Sequence, residues 1–91
     1  MLFRSLAREL GGDNIRVNAV LPGPVLTERQ QALWFDSADA KRFVELQCLK
    51  FPVQTQHIAD MVLFLASDQS AAVTGQNMIV DAGLAQVSVV G

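Results

Sequence analysis

The chain has few of the residue types on which catalytic and metal sites are built. Its 91 residues include no tyrosine, one cysteine and one histidine. A single cysteine cannot form an internal disulfide, and one cysteine with one histidine does not supply the ligands of a structural zinc site. Since no secretory leader pattern is visible at the N-terminus, this composition favours a reducing, cytoplasmic setting.

Charge and hydropathy argue against two classes of partner. The formal net charge is −2, and the seven Lys and Arg residues are scattered and form no basic stripe. Nucleic-acid binding therefore has little electrostatic support. The longest apolar runs are too short to span a bilayer, so we expect no membrane partner.

The balance of apolar and charged residues is unusual for a small domain. Hydrophobic residues make up 51% of the chain and charged residues 18%, although a chain of this length buries only a modest fraction of its surface. Such a composition is typical of a piece of a larger parallel sheet, whose strands are covered by helices on both faces.

Apolar periodicity and turn residues predict the first half of the fold. A helix with one apolar stripe ends at Gly11 and Gly12, which we expect in the left-handed C-cap conformation. A strand over residues 15–21 follows, and Asn18 within it needs polar partners, which we expect to be adjacent backbone groups. No period holds over residues 24–35, which predicts a loop or a broken helix.

The second half is predicted as two helices and a strand. One helix covers residues 36–49 with Ser37 as its N-cap, and the next begins after Thr55 as N-cap. This last helix is apolar almost all round, so we expect it to be buried against a sheet or another subunit. A short strand over residues 78–80 closes the pattern.

The most informative stretch is the exit from the first strand, where Pro22 and Gly23 form a turn that leads to Thr27. Ligands of open parallel α/β sheets bind just beyond the carboxyl ends of strands. A Pro-Gly turn at this place indicates a cofactor pocket, although Pro-Gly is also among the commonest turn dipeptides.

Three ordered motifs carry a resemblance that covers nearly the whole chain. They are LARELGGDNIRVNAVLPG with the following PVLT (residues 6–27), IADMVLFLASD (58–68), and VTGQ with IVDAG (73–76 and 79–83). In this order and spacing they resemble the second half of a short-chain dehydrogenase/reductase. The resemblance implies the C-terminal part of a doubly wound parallel-sheet (Rossmann-like) α/β fold, incomplete on its own.

Two family signatures are missing from the sequence: the glycine-rich cofactor loop and the Tyr-x-x-x-Lys pair that moves the proton. The resemblance therefore implies one segment of a single oxidoreductase domain, with a helix, strand and Pro-Gly turn in residues 1–23. A substrate loop and helix follow in residues 24–52, and the closing helix, last strand and tail in 53–91. Without the catalytic pair we expect no dehydrogenase turnover from these 91 residues alone.

By the same resemblance, the cofactor is NAD or NADP, and Pro22, Gly23, Val25 and Thr27 contact it. A backbone amide and carbonyl with a hydroxyl can fix the nicotinamide carboxamide. Thr27 would serve equally as a helix N-cap. The substrate loop brings Arg29 and Trp34 to a small-molecule substrate, although Arg29 could instead be merely solvated and Trp34 could equally be a packing anchor for that loop.

Two isolated residues are interpreted as structural. His57 lies at a helix N-terminus, where a cation is disfavoured, and we expect a surface histidine. Cys48 is expected to be a small packing residue.

Details of the motifs favour one branch of the family. Asp81-Ala82-Gly83, where most members have Asp-Gly-Gly, together with TERQ (27–30) and LQCLK (46–50), resembles the aldose 1-dehydrogenases of the D-xylose or galactose type. A 3-oxoacyl-carrier-protein reductase and a non-catalytic interaction module derived from the same fold stay open. The family also implies a homo-oligomer, commonly a tetramer, for the intact parent.

Overall fold

A computed structural model describes residues 2–26 and 38–84 of the chain, with side chains for all of these except Leu26 and residues 38–40. The described elements are α1 (Leu2–Leu10), β1 (Ala19–Pro22), β2 (Val25–Leu26), α2 (Ala38–Leu46), β3 (Val53–Gln54), α3 (Thr55–Ala66) and β4 (Asn77–Val80). Short 3₁₀ turns cover Gly11–Asp13 and Asp68–Ser70. Alternating helices and parallel strands confirm the predicted α/β class.

The first helix forms as its apolar stripe predicts, but its end differs. Ala7 is buried, while Arg4 and Arg8 are exposed. Gly11 and Gly12 belong to the 3₁₀ turn, and the left-handed residue is Asn14 (φ 60°), whose N–H donates to the carbonyl of Gly11 at 3.0 Å. The prediction of a left-handed glycine cap was wrong, because the extra 3₁₀ turn moves the reversal to an asparagine, which tolerates this conformation.

The first strand is shorter than predicted and begins four residues later, at Ala19. Residues 15–18 lack ladder partners, since the chain opposite them is the turn that precedes β4. There, the Val17 N–H donates to Thr74 Oγ1 at 3.0 Å, and the Gly75 N–H donates to the Val17 carbonyl at 2.8 Å. The strand also includes Pro22, which was expected to follow it.

The last strand is confirmed, with Asn77 added at its start. It pairs with β1 in parallel, so that Ala19 stands beside Asn77 and Pro22 beside Val80. A second parallel pair, which was not predicted, joins β2 to β3 within the described residues. Its two-residue strands are too short to show any periodicity, and the remainder of the predicted loop over 24–35 lies outside the described residues.

The side chain of Gln47 determines how the chain leaves the second helix. The described part of α2 ends at Leu46, short of the predicted residue 49, and the proposed cap Ser37 lies outside the described residues. Gln47 is 1% exposed, and its Nε2 donates to the carbonyls of Leu49 (3.1 Å) and Phe51 (2.8 Å). These bonds turn the chain out of the helix.

The third helix begins one residue earlier than predicted and has a different cap. Gln54 is the N-cap because it is still extended as the last residue of β3 (φ −113°, ψ 165°), so the assignment of Thr55 was wrong. His57 Nδ1 accepts the Gln54 N–H at 2.9 Å, and its ring lies 5.4 Å from that of Phe51. The only histidine is therefore half-buried and caps the helix, where we had expected a surface residue.

The expected burial of α3 is incomplete. This helix packs on β1 and β4, yet Val62 is 50% exposed and Leu63 69% exposed. Within the described residues, Ala7 and Val53 are the buried apolar side chains. In the same part of the chain, no helix is long and apolar enough to cross a membrane, and no group of three metal-ligating side chains lies together.

Arg16 ties the end of α3 to the segment that precedes β1. Its guanidinium donates to the carbonyl of Leu65 (2.8 Å), to Ser70 Oγ (2.8 Å) and to the carbonyl of Ser67 (3.2 Å). A cation at the C-terminus of a helix also interacts favourably with the helix dipole. Ser70 is 1% exposed, so the charge is held against a buried hydroxyl.

The turn after β4 carries backbone strain. Ala82 has φ 54° and Gly83 has φ 87°, and both angles favour glycine. The turn is held by Asp81 Oδ1, which accepts the Gly83 N–H at 2.9 Å, and by the Leu49 N–H, which donates to the Ala82 carbonyl at 2.9 Å. Cys48 packs here, since a Cβ on Gly83 would lie 2.5 Å from the Cys48 Cβ.

Replacing Arg16 with Met should lower the free energy of unfolding by about 2 kcal/mol, because it removes charge-assisted hydrogen bonds and keeps the aliphatic stem. The matched control is Arg8→Met on the exposed face of α1, with an expected change within about 0.5 kcal/mol. Urea unfolding of the 91-residue chain, followed by circular dichroism, measures both. Equal midpoints for the two variants would contradict the role of Arg16.

Replacing Ala82 with Gly should raise the free energy of unfolding by about 0.5 to 1 kcal/mol, since the relieved left-handed strain exceeds the added entropy of the unfolded chain. The opposite exchange next to it, Gly83→Ala, should lower it by about 2 kcal/mol or more, because strain and overlap with Cys48 add. Thermal unfolding compares the two, and a loss of stability in Ala82→Gly would refute the strain.

Candidate functional site

The candidate site is the edge of the sheet where β1 and β4 end. The two strands are parallel and in register, so their carboxyl ends, Pro22 and Val80, lie side by side. Parallel strands leave their connections and their ligands at this edge. The Pro-Gly turn that the sequence singled out is thus at the edge where a cofactor would bind.

Gly23 fixes the corner. Its N–H donates to the carbonyl of Val80 at 2.9 Å. A Cβ at this position would lie 2.6 Å from the Cβ of Asp81 and 2.9 Å from its Cα. Real Cβ atoms do not come so close, so only glycine lets the two strand ends meet here. Gly23 was expected to let the backbone approach a ligand closely. On the side that faces β4, the backbone of Gly23 approaches Asp81 instead.

Pro22 occupies a position where the pairing of β1 with β4 requires no backbone N–H donor. The N–H groups of Ala19 and Gly23 donate toward β4, at 2.9 Å each. Backbone groups alternate in direction along a strand, so the nitrogen of Pro22 points to the other edge. Because that edge has no partner strand among the described residues, the missing N–H of proline leaves no bond of the observed sheet unmade.

Of the other predicted site residues, the structure describes Val25. It follows the corner in β2 and pairs with Val53, which is 2% exposed. Thr27, Arg29 and Trp34 lie outside the described residues. The structure therefore brings Pro22, Gly23 and Val25 together on one continuous segment at the carboxyl edge.

The second side of the corner is the turn of residues 81–84. Leu84 N–H donates to the Asp81 carbonyl at 3.1 Å, and Cys48 Sγ donates to the Gly83 carbonyl at 3.4 Å. Cys48 is thus a packing residue, as predicted, although it is exposed. The segment that follows α2 therefore supports the turn that follows β4, a contact that no sequence pattern indicated.

Asn18 holds the turn that leads into β4. Its Nδ2 donates to the Val73 carbonyl at 2.9 Å, and its Oδ1 accepts the Gln76 N–H at 3.0 Å. The predicted role, bracing adjacent backbone, is confirmed. Arg16 lies two residues before Asn18, and its contact with the end of α3 was not predicted. Its partners are 49 to 54 residues away in the sequence, and nothing near Arg16 indicates them.

The chemistry of the corner suits an uncharged group. Between residues 22–25 and 80–84, Asp81 is the one charged side chain. Such a wall can meet an aromatic ring and a carboxamide through backbone and apolar contacts, but it offers no cation to a phosphate. No tyrosine exists to move a proton, and His57 Nδ1 is engaged in capping α3.

Comparison with known proteins agrees with this arrangement. Residues 1–85 match the family model described as enoyl-(acyl carrier protein) reductase. The chain is 52% identical to the probable galactose dehydrogenase of Rhizobium meliloti over 83 residues, covering 91% of this chain and 32% of that protein. It is 46% identical to D-xylose 1-dehydrogenase of Caulobacter vibrioides over 82 residues, covering 90% and 33%.

Solved structures give the same result. A 3-oxoacyl-[acyl-carrier protein] reductase from Brucella melitensis superposes with a TM-score of 0.83 at 35% identity, covering 91% of this chain and 30% of that one. A 4-hydroxyisoleucine dehydrogenase complexed with NADH superposes with a TM-score of 0.80 at 31% identity, covering 93% and 35%.

The chain spans about a third of the length of the curated relatives it matches. The match nevertheless covers the described strands and helices and the Pro-Gly corner. The partial parallel sheet with its helices is that of the Rossmann-fold dehydrogenases, as expected. The chain belongs to the short-chain dehydrogenase/reductase family.

Proposed function

We propose that this chain forms one wall of the nicotinamide site in an NAD- or NADP-dependent dehydrogenase that oxidises an aldose. The observation that carries the proposal is the in-register carboxyl edge of β1 and β4, closed by the contact of Gly23 with Asp81. The cofactor, when bound, accepts or donates the hydride. The residues of this chain orient it.

We assign the contacts with the cofactor and the substrate in the order of the residues along the segment 22–34. Pro22 and Gly23 hold the corner, the Val25 backbone meets the carboxamide, and the Thr27 hydroxyl completes that contact. Arg29 and Trp34 contact the substrate. The domain then divides into residues 1–23, residues 24–52 with the substrate loop, and residues 53–91.

Two observations support a nicotinamide cofactor, one from the corner itself and one from a similar solved structure. An uncharged corner fits the nicotinamide end of a dinucleotide better than its phosphates, and one similar solved structure is described as complexed with NADH. The phosphates and the proton-moving pair would then be met by the part of the fold outside the matched third. For this reason we propose that the 91 residues alone have no dehydrogenase turnover.

The relatives support an aldose as substrate. Identities of 52% and 46% with a galactose and a D-xylose dehydrogenase exceed the 35% shared with the 3-oxoacyl-[acyl-carrier protein] reductase. That reductase superposes with a TM-score of 0.83, so an acyl substrate is the second candidate.

We also propose a cellular setting and an assembly, which composition and side-chain exposure support. One cysteine and no disulfide fit a reducing, cytoplasmic setting. The half-exposed Val62 and the exposed Leu63 on α3 fit a subunit interface in a homo-oligomeric parent, which we propose to be a tetramer.

A chimera tests the function directly. The matching 82 residues of the Caulobacter D-xylose 1-dehydrogenase are replaced by those of this chain. We expect reduction of NAD or NADP that depends on D-xylose or D-galactose, and none from the 91-residue chain by itself. A soluble chimera that reduces neither cofactor with any sugar, or one that works only on 3-oxoacyl thioesters, would refute the aldose proposal.

Within that chimera, Thr27→Ala should weaken cofactor binding by about 1 to 2 kcal/mol, the loss of one hydrogen bond to the cofactor. Thr27→Ser keeps the hydroxyl and should bind as the parent chimera does. Titration of NADH fluorescence and the KM for the cofactor measure both variants. Unchanged constants in Thr27→Ala would remove this residue from the site.

A further inference from the structure

The single histidine of the chain accepts a backbone hydrogen bond at the start of α3. His57 Nδ1 accepts the Gln54 N–H at 2.9 Å, and the centre of the imidazole lies 5.4 Å from that of the Phe51 ring. A backbone N–H can only donate, so Nδ1 carries no proton in this contact, and the proton of the neutral ring is on Nε2. The observed contact therefore requires the neutral imidazole.

Protonation of His57 opposes this contact for two reasons. Both nitrogens of an imidazolium are donors, so the protonated ring would set one N–H against the N–H of Gln54. The first turn of a helix also disfavours a cation, because the N-terminal end of the helix dipole is positive. Histidine gains its proton in the range between about pH 8 and pH 5. The contact is therefore favoured above this range and lost as the pH falls through it.

The charged side chains around the start of α3 have other hydrogen-bond partners. Asp60, one turn along the helix, accepts from Gln56 Nε2 at 2.6 Å, and Lys50, which precedes β3, donates to two carbonyls at the end of α2. The carboxylate of Asp81, which follows β4, accepts a backbone N–H of its own turn. Arg16 and Asp68 lie at the opposite end of α3. Within the described residues, the polar contact of the His57 ring is thus the one with Gln54.

The bond from Gln54 to His57 fixes how β3 faces β2. Because the Gln54 N–H is directed to His57, the backbone of Gln54 points away from β2, and by alternation the N–H and carbonyl of Val53 point toward it. Val25 stands directly opposite Val53 in the parallel register. A residue opposite a bonded one in a parallel pair turns its own N–H and carbonyl to the other side. The backbone of Val25 is therefore left for a partner other than β3.

This arrangement depends on few contacts. Both β2 and β3 are two residues long, so the ladder between them is short. The buried side chain of Val53 holds one residue of β3, and the ring of His57 holds the next. Without the acceptor at Nδ1, nothing in the described residues directs the Gln54 N–H away from β2, and the alternation that leaves the Val25 backbone available is weakened.

We propose that His57 is a positioning residue for the nicotinamide site. Its neutral ring accepts the Gln54 N–H and so holds β3 in the alternation that directs the Val25 backbone to the carboxamide of the cofactor. The inference rests on the proposed function, in which Val25 meets that carboxamide, and adds a residue outside the segment 22–34 on which the contact depends. Acid weakens cofactor binding, because protonation of His57 removes the acceptor.

The test compares two variants of nearly equal shape in the xylose dehydrogenase chimera. His57→Asn keeps an acceptor in the same place, since Oδ1 is bonded to Cγ as Nδ1 is, and it does not titrate. His57→Leu has the shape of asparagine without the acceptor. Calorimetric titration at about pH 8 with NAD or NADP, whichever the chimera binds, gives the Kd. We expect the Asn variant to bind as the parent chimera does and the Leu variant about five- to tenfold more weakly, the effect of about one hydrogen bond.

A second titration at about pH 5.5 separates positioning from a purely structural role. Between the two pH values the parent should lose at least about threefold more affinity than the Asn variant, because only the parent has an imidazole to protonate. Circular dichroism verifies that each protein is folded at both pH values, and if the Leu variant does not fold, the comparison of parent and Asn variant decides.

Two results would overturn the role of His57: the same pH dependence in the parent and the Asn variant, or a folded Leu variant that binds the cofactor as tightly as the parent. Either result leaves the proposed function standing, since the parent still binds the cofactor. A folded parent chimera that binds neither NAD nor NADP at about pH 8 would instead refute the proposed function, and this inference with it.

Discussion

The close contact between Gly23 and Asp81 allows the carboxyl ends of β1 and β4 to lie side by side. The two residues follow the last paired positions of β1 and β4, and any side chain at Gly23 would overlap Asp81. Because the strands can meet there, their carboxyl ends form one edge and the chain leaves it through Pro24 into β2. The placement of Val25 at the carboxyl edge follows from that exit.

Side-chain hydrogen bonds position the helices and strands of the described residues relative to one another. The described residues bury little apolar surface, and several large apolar side chains are exposed. Arg16 instead binds the end of α3, Asn18 binds the turn before β4, and Gln47 binds the chain after α2. Each joins a side chain to backbone carbonyls, so these hydrogen bonds hold the elements in place where little apolar surface is buried.

The sequence predicted the elements better than their ends and contacts. Periodicity located α1 and α3, a short apolar run located β4, and the Pro-Gly dipeptide marked the carboxyl edge, because each signal depends on residues close in sequence. The start of β1 and the pairing of Val25 with Val53 depend on partners far along the chain. The cap at Gln54 was missed for the same reason, since the extended shape of that residue comes from β3. The place of the Pro-Gly corner at the carboxyl edge followed from the sequence. The cofactor roles of Pro22, Gly23, Val25 and Thr27 and the substrate roles of Arg29 and Trp34 stay predictions.

A crystal structure of the xylose dehydrogenase chimera with bound NADH would locate the nicotinamide relative to the Pro-Gly corner. We expect the nicotinamide ring against the corner of Pro22 and Gly23, with Val25 or Thr27 in hydrogen-bond contact with the carboxamide. A nicotinamide seated on another part of the sheet, with this corner turned away from the cofactor, would contradict it.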